Sequence, residues 1–236
     1  MKKNLFSYSM LNSTNVRYLF LIFLLCFSAS MWGESEEVIK QISDNIYKIE
    51  EITIDTDLQE IRFPAEFNME NGLIELLLCG RKGKLHESVL KTAIIPSHLQ
   101  VALLLLDFNY GNLLEFQGDP RIPEGDSLLI KVTWQNEEGE QQEARIEQLA
   151  YNKPKQSPMQ HTHWIFTGSR IVDGNYMADI EESIITTYHD PYSIIDNPLT
   201  TGGDDTVYEV NSSIVPAKGT KAEIMISPYN NNNAGE

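Results

Sequence analysis

The side chains of this chain that can do chemistry gather in one stretch, residues 72–108. A thiol (Cys79), an ammonium (Lys84), two imidazoles (His86 and His98), a carboxylate (Glu87) and a hydroxyl (Ser88) fall there in close succession. His86-Glu87 opens as a zinc-protease motif does, but H-E-x-x-H needs a histidine at 90, where Leu90 stands. A looser divalent-metal site can be drawn from His86, Glu87 and His98 with His161 and His163. The last two are two positions apart, so on a strand both rings face one side, a workable ligand pair. The competing reading is that His86 and Glu87 bond locally to hold a turn while His161 and His163 lie on a wet face.

Gly80-Arg81-Lys82-Gly83-Lys84 has the flavour of a phosphate loop without its spacing, and Leu85 follows where Ser or Thr is required. A smaller anion, such as a carboxylate, can rest on amides of this kind at a helix start. The plainer alternative is a solvated basic turn. Cys79 reads either as a nucleophile beside His86 or as a small buried hydrophobe closing an apolar strand. Ser88 and Ser169 lack the G-x-S-x-G setting of a serine hydrolase.

Elements must exist to position these groups. Residues 73–79 form an apolar run bounded by Asn71-Gly72 and Gly80, the mark of a buried strand. Past the basic turn, residues 85–92 have room for two helical turns before Pro96 forbids continuation. Ser97 and Gln100 have capping-box spacing, and residues 99–106 are apolar on nearly every side, so that helix is expected to be enclosed by protein. It is far too short to span a bilayer. Strands are expected over 51–67, ended or bent at Pro64, then over 128–134 paired with 144–150, on both sides of the Asp173-Gly174 turn, and over 183–188, 208–215 and 221–226. Residues 190–205 read as loop with a helical turn at 192–196. The expected fold is α+β, mainly antiparallel β-sheet with one central helical hairpin at about residues 85–108.

The 236 residues, 42% hydrophobic, suffice for one substantial core. Lys2, Lys3 and Arg17 precede the apolar run 18–27, and Ser28-Ala29-Ser30 follows, so residues 1–30 are expected to be a secretory signal, with an uncleaved anchor as the alternative. A polar leader (31–45), one domain (46–229) and a disordered tail (230–236) complete the expected layout. Exported, the protein would reside in the periplasm or cell envelope, touching membrane only through that signal or anchor. The formal charge of −16 becomes −19 without the signal, 34 acids facing 15 bases, and such a field repels nucleic acid. Signal removal also takes Cys26, leaving Cys79 without a disulfide partner.

Gly72-Leu73-Ile74-Glu75 with Cys79, then Gly83-Lys84-Leu85-His86-Glu87-Ser88, then Pro96 and the helix at 99–106, resembles the core signature of the YdjY-domain family. Trp164 to Ser169, Tyr176-Met177-Ala178-Asp179 and the segment from Val215 to Thr220 follow in the order that family shows. The likeness spans roughly residues 46–228. It implies an exported bacterial protein of undetermined activity. Some relatives are labelled ferredoxin-like, but an iron–sulfur cluster needs about four thiolates and this chain has two cysteines in all, so no such cluster is expected. The expectation is a non-enzymatic module binding a ligand or envelope protein at Lys84, His86, Glu87, Ser88 and Cys79, without a cofactor. The alternative is a metal-assisted enzyme using His86 and Glu87 with His161 and His163.

Overall fold

The computed structural model describes residues 38–230 apart from 113. The expected signal, the start of the leader and residues 231–236 lie outside the described residues. Within them, β1 (Lys40–Ser43), β2 (Ile46–Ile49) and β3 (Ile52–Asp55) form an antiparallel meander that leads into β4 (Glu60–Phe67). The strands that follow are β5 (Leu76–Gly80), β6 (Ser88–Thr92), β7 (Ser127–Gln135), β8 (Gln141–Arg145), β9 (Ala150–Asn152), β10 (Ser157–Pro158) and β11 (Trp164–Phe166). They are completed by β12 (Ile171–Val172), β13 (Asn175–Tyr176), β14 (Ser183–Thr186), β15 (Ile195–Asp196), β16 (Tyr208–Val210) and β17 (Lys221–Pro228).

Eight of these close into a barrel in the order β4, β17, β7, β11, β15, β14, β5, β6, with β6 returning to β4. Closure leaves these eight strands without a free edge. β8 and β3 attach as flaps on β7 and β4. β5–β6 and β14–β15 are the parallel pairs; the other barrel pairings are antiparallel. The inward set follows the period-two rule: Ile61, Phe63, Ala65 and Phe67 of β4 and Ala222, Ile224 and Ile226 of β17 are buried, with Phe67 edge-on to Trp134 at 5.4 Å. Pro64 does not end its strand. On one flank of β4, β3 pairs up to Arg62 and β6 begins at Glu66, so proline falls where no strand pairs on that side.

The expected helical hairpin does not form, and the fold is a β-barrel rather than an α+β sheet around helices. Residues 85–87 make a single 3-10 turn, and 88–92 are β6. Two helical turns cannot stand alone because nucleation is unfavourable. The same residues gain ladder hydrogen bonds from β5 on one side and burial of Val89 and Leu90 in the core. One true helix of the pair exists, α1 (Pro96–Leu105), entered from extended Ile95 with proline at its first position. The Ser97–Gln100 capping box is absent: the Ser97 amide donates to Asp179 Oδ1 at 2.7 Å, and Gln100 Oε1 accepts from the Tyr176 hydroxyl.

Nor is α1 enclosed. Leu99, Ala102, Leu103 and Leu106 are buried, while Val101, Leu104 and Leu105 remain 37%, 42% and 43% exposed. No helix among the described residues is long and apolar enough to cross a membrane. Asp173 (φ 49°) and Gly174 (φ 80°) form the expected two-residue turn between β12 and β13. The chain then enters a short helix, α2 (Met177–Glu181), not the longer strand expected there. In place of the helical turn expected at 192–196 the chain runs irregularly into the two-residue strand β15.

Candidate functional site

The stretch from Gly80 to Ser88 links the parallel strands β5 and β6, and its shape follows from close backbone contacts. Gly80 donates to the Glu182 carbonyl at 2.8 Å, and the Lys82 amide donates to Glu182 Oε2 at 2.6 Å. A Cβ at Gly80 would overlap the Glu182 carboxylate, and Glu182 itself is left-handed (φ 51°), so the turn and the end of α2 are locked together. The Gly83 amide donates to the Gly80 carbonyl at 3.3 Å. Three amides offered by the sequence as an anion cradle are therefore already bonded within the protein.

The candidate side chains divide into two sets. Cys79 and Ser88 are buried. Burial pushes the Cys79 thiol up to about 11, so near neutrality it is a thiol and not the thiolate that acts as a nucleophile. Ser88 Oγ donates to the Leu90 carbonyl at 2.7 Å. The buried Asn68 amide donates to the carbonyls of Leu85 and Ser88 at 2.5 and 2.9 Å and staples the 3-10 turn from below.

Lys84, His86 and Glu87 face outward. Lys84 Nζ meets Glu75 Oε2 at 2.5 Å, joining the two sequence pieces 72–75 and 83–88. Burial works against the Lys84 charge, but Glu75, with Asp190 and Glu87 in range, outweighs it and lifts the ammonium above the usual lysine range. The Glu75 amide donates to the Glu87 carbonyl at 3.0 Å, and the Glu75 carbonyl accepts from the amides of Thr187 and Tyr188. His86 is 77% exposed, its Nε2 lying 3.7 Å from Glu87 Oε1, a loose local pair.

The remaining histidines serve elsewhere. His163 stacks on Tyr229 at 5.3 Å between centroids, and burial lowers its pKa. His161 is exposed. His98 Nδ1 lies 3.6 Å from Glu50 Oε2. No group of three or more His, Cys, Asp or Glu side chains placed to hold a metal ion occurs among the described residues. His86 and Glu87 are thus not gathered with His161 and His163.

Two polar regions lie outside the sequence-level candidates. The first is a cleft of about 270 Å³ where the ends of β5 and β6 meet β4 and β17, lined by Arg81, Lys91, Thr92, Lys221, Glu66 and Glu51 among others. Lys91 Nζ bonds Glu66 Oε1 at 2.9 Å and Lys221 Nζ takes Oε2. Hydrogen bonds from Lys221 and then Lys91 hold the Glu66 carboxyl down at about 2. Arg81 makes no ion pair among the described residues. These partners are far apart in the chain, Lys221 standing 155 positions from Glu66, and no motif spacing joins them.

The second is the connection between β14 and β15. His189 is buried, Nδ1 facing the Asp119 carbonyl at 2.6 Å and Nε2 the Asn197 carbonyl at 2.9 Å. Asp190 accepts from the Tyr192 amide (2.9 Å) and Ser183 Oγ (3.1 Å), and Asp196 accepts from the amides of Asp190 (3.1 Å) and Asn197 (2.7 Å). Burial raises the pKa of both carboxyls, Asp196 strongly. Nothing in the local sequence, a single histidine between tyrosine and aspartate, announces this network.

What folds here is a small closed β-barrel domain with its exposed polar candidates on the β5–β6 connection and a cationic cleft beside it. The chain belongs to the YdjY domain family, whose model matches residues 52–227. Among the described strands, that match covers the barrel except the last residue of β17 and leaves out β1 and β2. Searches of curated proteins and of solved structures gave no match.

Proposed function

We propose that this is an exported cell-envelope domain that binds a ligand or partner, without turning it over, at the edge formed by the β5–β6 connection. The observation that carries this reading is the division of that connection. Its nucleophile types, Cys79 and Ser88, are buried, whereas Arg81 and His86 are exposed and Lys84 and Glu87 half-buried at the surface, on a backbone locked by Glu182 and Asn68. A rigid display of charged groups suits recognition, because little ordering remains to be done on binding. Export is supported by Lys2 and Lys3, the apolar run at 18–27 and the small residues after it.

The test is a thermal-shift screen of small metabolites on the purified chain, with each hit incubated and recovered for chemical analysis. The reading expects hits that return unchanged and whose shift is lost in Arg81→Ala or in Lys84→Ala/His86→Ala. Conversion of a hit, or bound metal lost on His86→Ala together with that conversion, would overturn it in favour of an enzyme.

A further inference from the structure

We propose that the cleft between Arg81, Lys91 and Lys221 binds a small ligand through an oxyanion group, a carboxylate or a phosphate. This rests on reading the β5–β6 connection as the ligand-bearing edge and names the chemistry recognised there. The chain has 34 acids and only 18 bases, so three cations converging on one cleft run against its overall charge. They come from three separate elements: Arg81 from the locked turn, Lys91 from β6 and Lys221 from the first position of β17. Barrel closure places them, and no local sequence feature demands the arrangement.

Their charge is only partly neutralised internally. The Lys91 and Lys221 ammoniums share the single carboxylate of Glu66, each on its own oxygen, which leaves that trio with a net positive charge. Glu51 also lines the cleft but lies within ion-pair distance of none of the three cations. The Arg81 guanidinium adds a planar fork of donors suited to two oxygens of one oxyanion. Lys221, with its side chain 81% exposed, is free to swing from Glu66 to a ligand.

The size of the ligand follows from two facts. A volume of about 270 Å³ falls just below the range of drug-sized ligand pockets, about 300 to 1,000 Å³, and so suits only a small molecule. A polyanion such as nucleic acid would meet the acidic remainder of the surface, whereas one oxyanion on a small molecule feels chiefly the local field. The carboxylate of Glu66 itself demonstrates the geometry, since it occupies both lysines as a ligand carboxylate would.

Isothermal titration of the full chain at low salt, with inorganic phosphate, succinate and uncharged erythritol, tests the site. Binding of phosphate or succinate is expected with Kd of about 1 mM or below, weakened by added salt. Arg81→Ala should weaken it about tenfold, one charge-assisted contact being lost. Glu66→Gln should tighten it several-fold by releasing two lysines. Erythritol should not bind, and Lys153→Ala, which removes an exposed lysine that does not line the cleft, should leave the affinity unchanged. Phosphate binding without succinate assigns a phosphoryl ligand, the reverse a carboxylate. Near-ultraviolet circular dichroism checks that each variant is folded, and Arg81→Glu supplies a second, charge-reversed probe. Absence of binding by both anions, or equal affinity in wild type, Arg81→Ala and Arg81→Glu, overturns the proposal. If a screened ligand instead depends on Lys84 and His86 but not Arg81, the oxyanion site falls while the ligand-bearing edge stands.

Discussion

Two polar regions of this barrel handle charge in opposite ways. In β15 and the connection that leads into it, with Asn197 just beyond, buried Asp190, Asp196, His189, Ser193 and Asn197 find their partners inside the protein, mostly on backbone amides and carbonyls. At the β5–β6 connection and the cleft beside it, cations outnumber the carboxylates that touch them, and one guanidinium has no ion-pair partner among the described residues. The first arrangement is what a barrel needs where an irregular crossover is buried, since an unpaired polar group there costs about 1–3 kcal/mol. The second leaves charge in reserve beside a concavity. Titratable side chains in number do not mark a site; charge left unsatisfied on a rigid frame does.

The largest expected effect lies in the internal network. His189→Ala removes a fully buried ring and with it the hydrogen bond that one ring N–H gives to the carbonyl of Asp119 or Asn197, so it should cost about 3 kcal/mol in urea denaturation without changing anion affinity. A loss under about 1 kcal/mol would mean that this network is looser than described.

Lys84→Met separates the pair on which the two sequence motifs meet and leaves partly buried Glu75 uncompensated. The expected loss is about 1 kcal/mol, measurable by the same denaturation.

Asp190→Asn probes the sign of the buried electrostatics. Burial raises the Asp190 pKa above its ordinary 3.8, so in the interval above 3.8 the folded state holds a proton that the unfolded state has lost. Wild-type stability should therefore fall relative to Asp190→Asn as pH rises through that interval, and the two should run parallel below it. A wild type that gains on the variant with rising pH would place this carboxylate among favourable pairs instead. At the other extreme, Arg81→Ala should change stability by no more than about 0.5 kcal/mol, because its side chain holds no other element. Arg81 is thus the position where stability and ligand affinity separate most cleanly.

Much of the barrel could be read before folding was considered. The alternation in β4, the apolar run of β7, the Asp173-Gly174 turn and the closing strand β17 all carry period-two or positive-φ signals that local chemistry imposes. What escaped was decided by distant partners. Residues 88–92 carry the same apolar pattern for a short helix or a strand, and the ladders with β4 and β5 choose strand. The Ser97–Gln100 spacing lost to Pro96 as helix start, and Asp179 took the Ser97 amide that the Gln100 side chain was expected to cap. Apolar character all around α1 correctly gives a buried face, yet it did not ensure that Val101, Leu104 and Leu105 would be covered.

The site divides the same way. Lys84, His86 and Glu87 were found from residue type and do lie at the exposed turn, whereas Cys79 and Ser88 proved to be scaffold. Arg81 was visible as part of a basic turn, with an anion assigned to amides that the protein itself occupies. Lys91, Lys221 and Glu66 become neighbours only when β6, β17 and β4 are brought together.

The most direct test of the proposed oxyanion site is an amide chemical-shift map of the full chain during titration with inorganic phosphate and succinate. The account predicts shifts confined to the surroundings of Arg81, Lys91, Thr92 and Lys221, with the amides of His189, Asp190 and Asn197 unmoved. Shifts centred on residues 189–197, with the cleft silent, would contradict it.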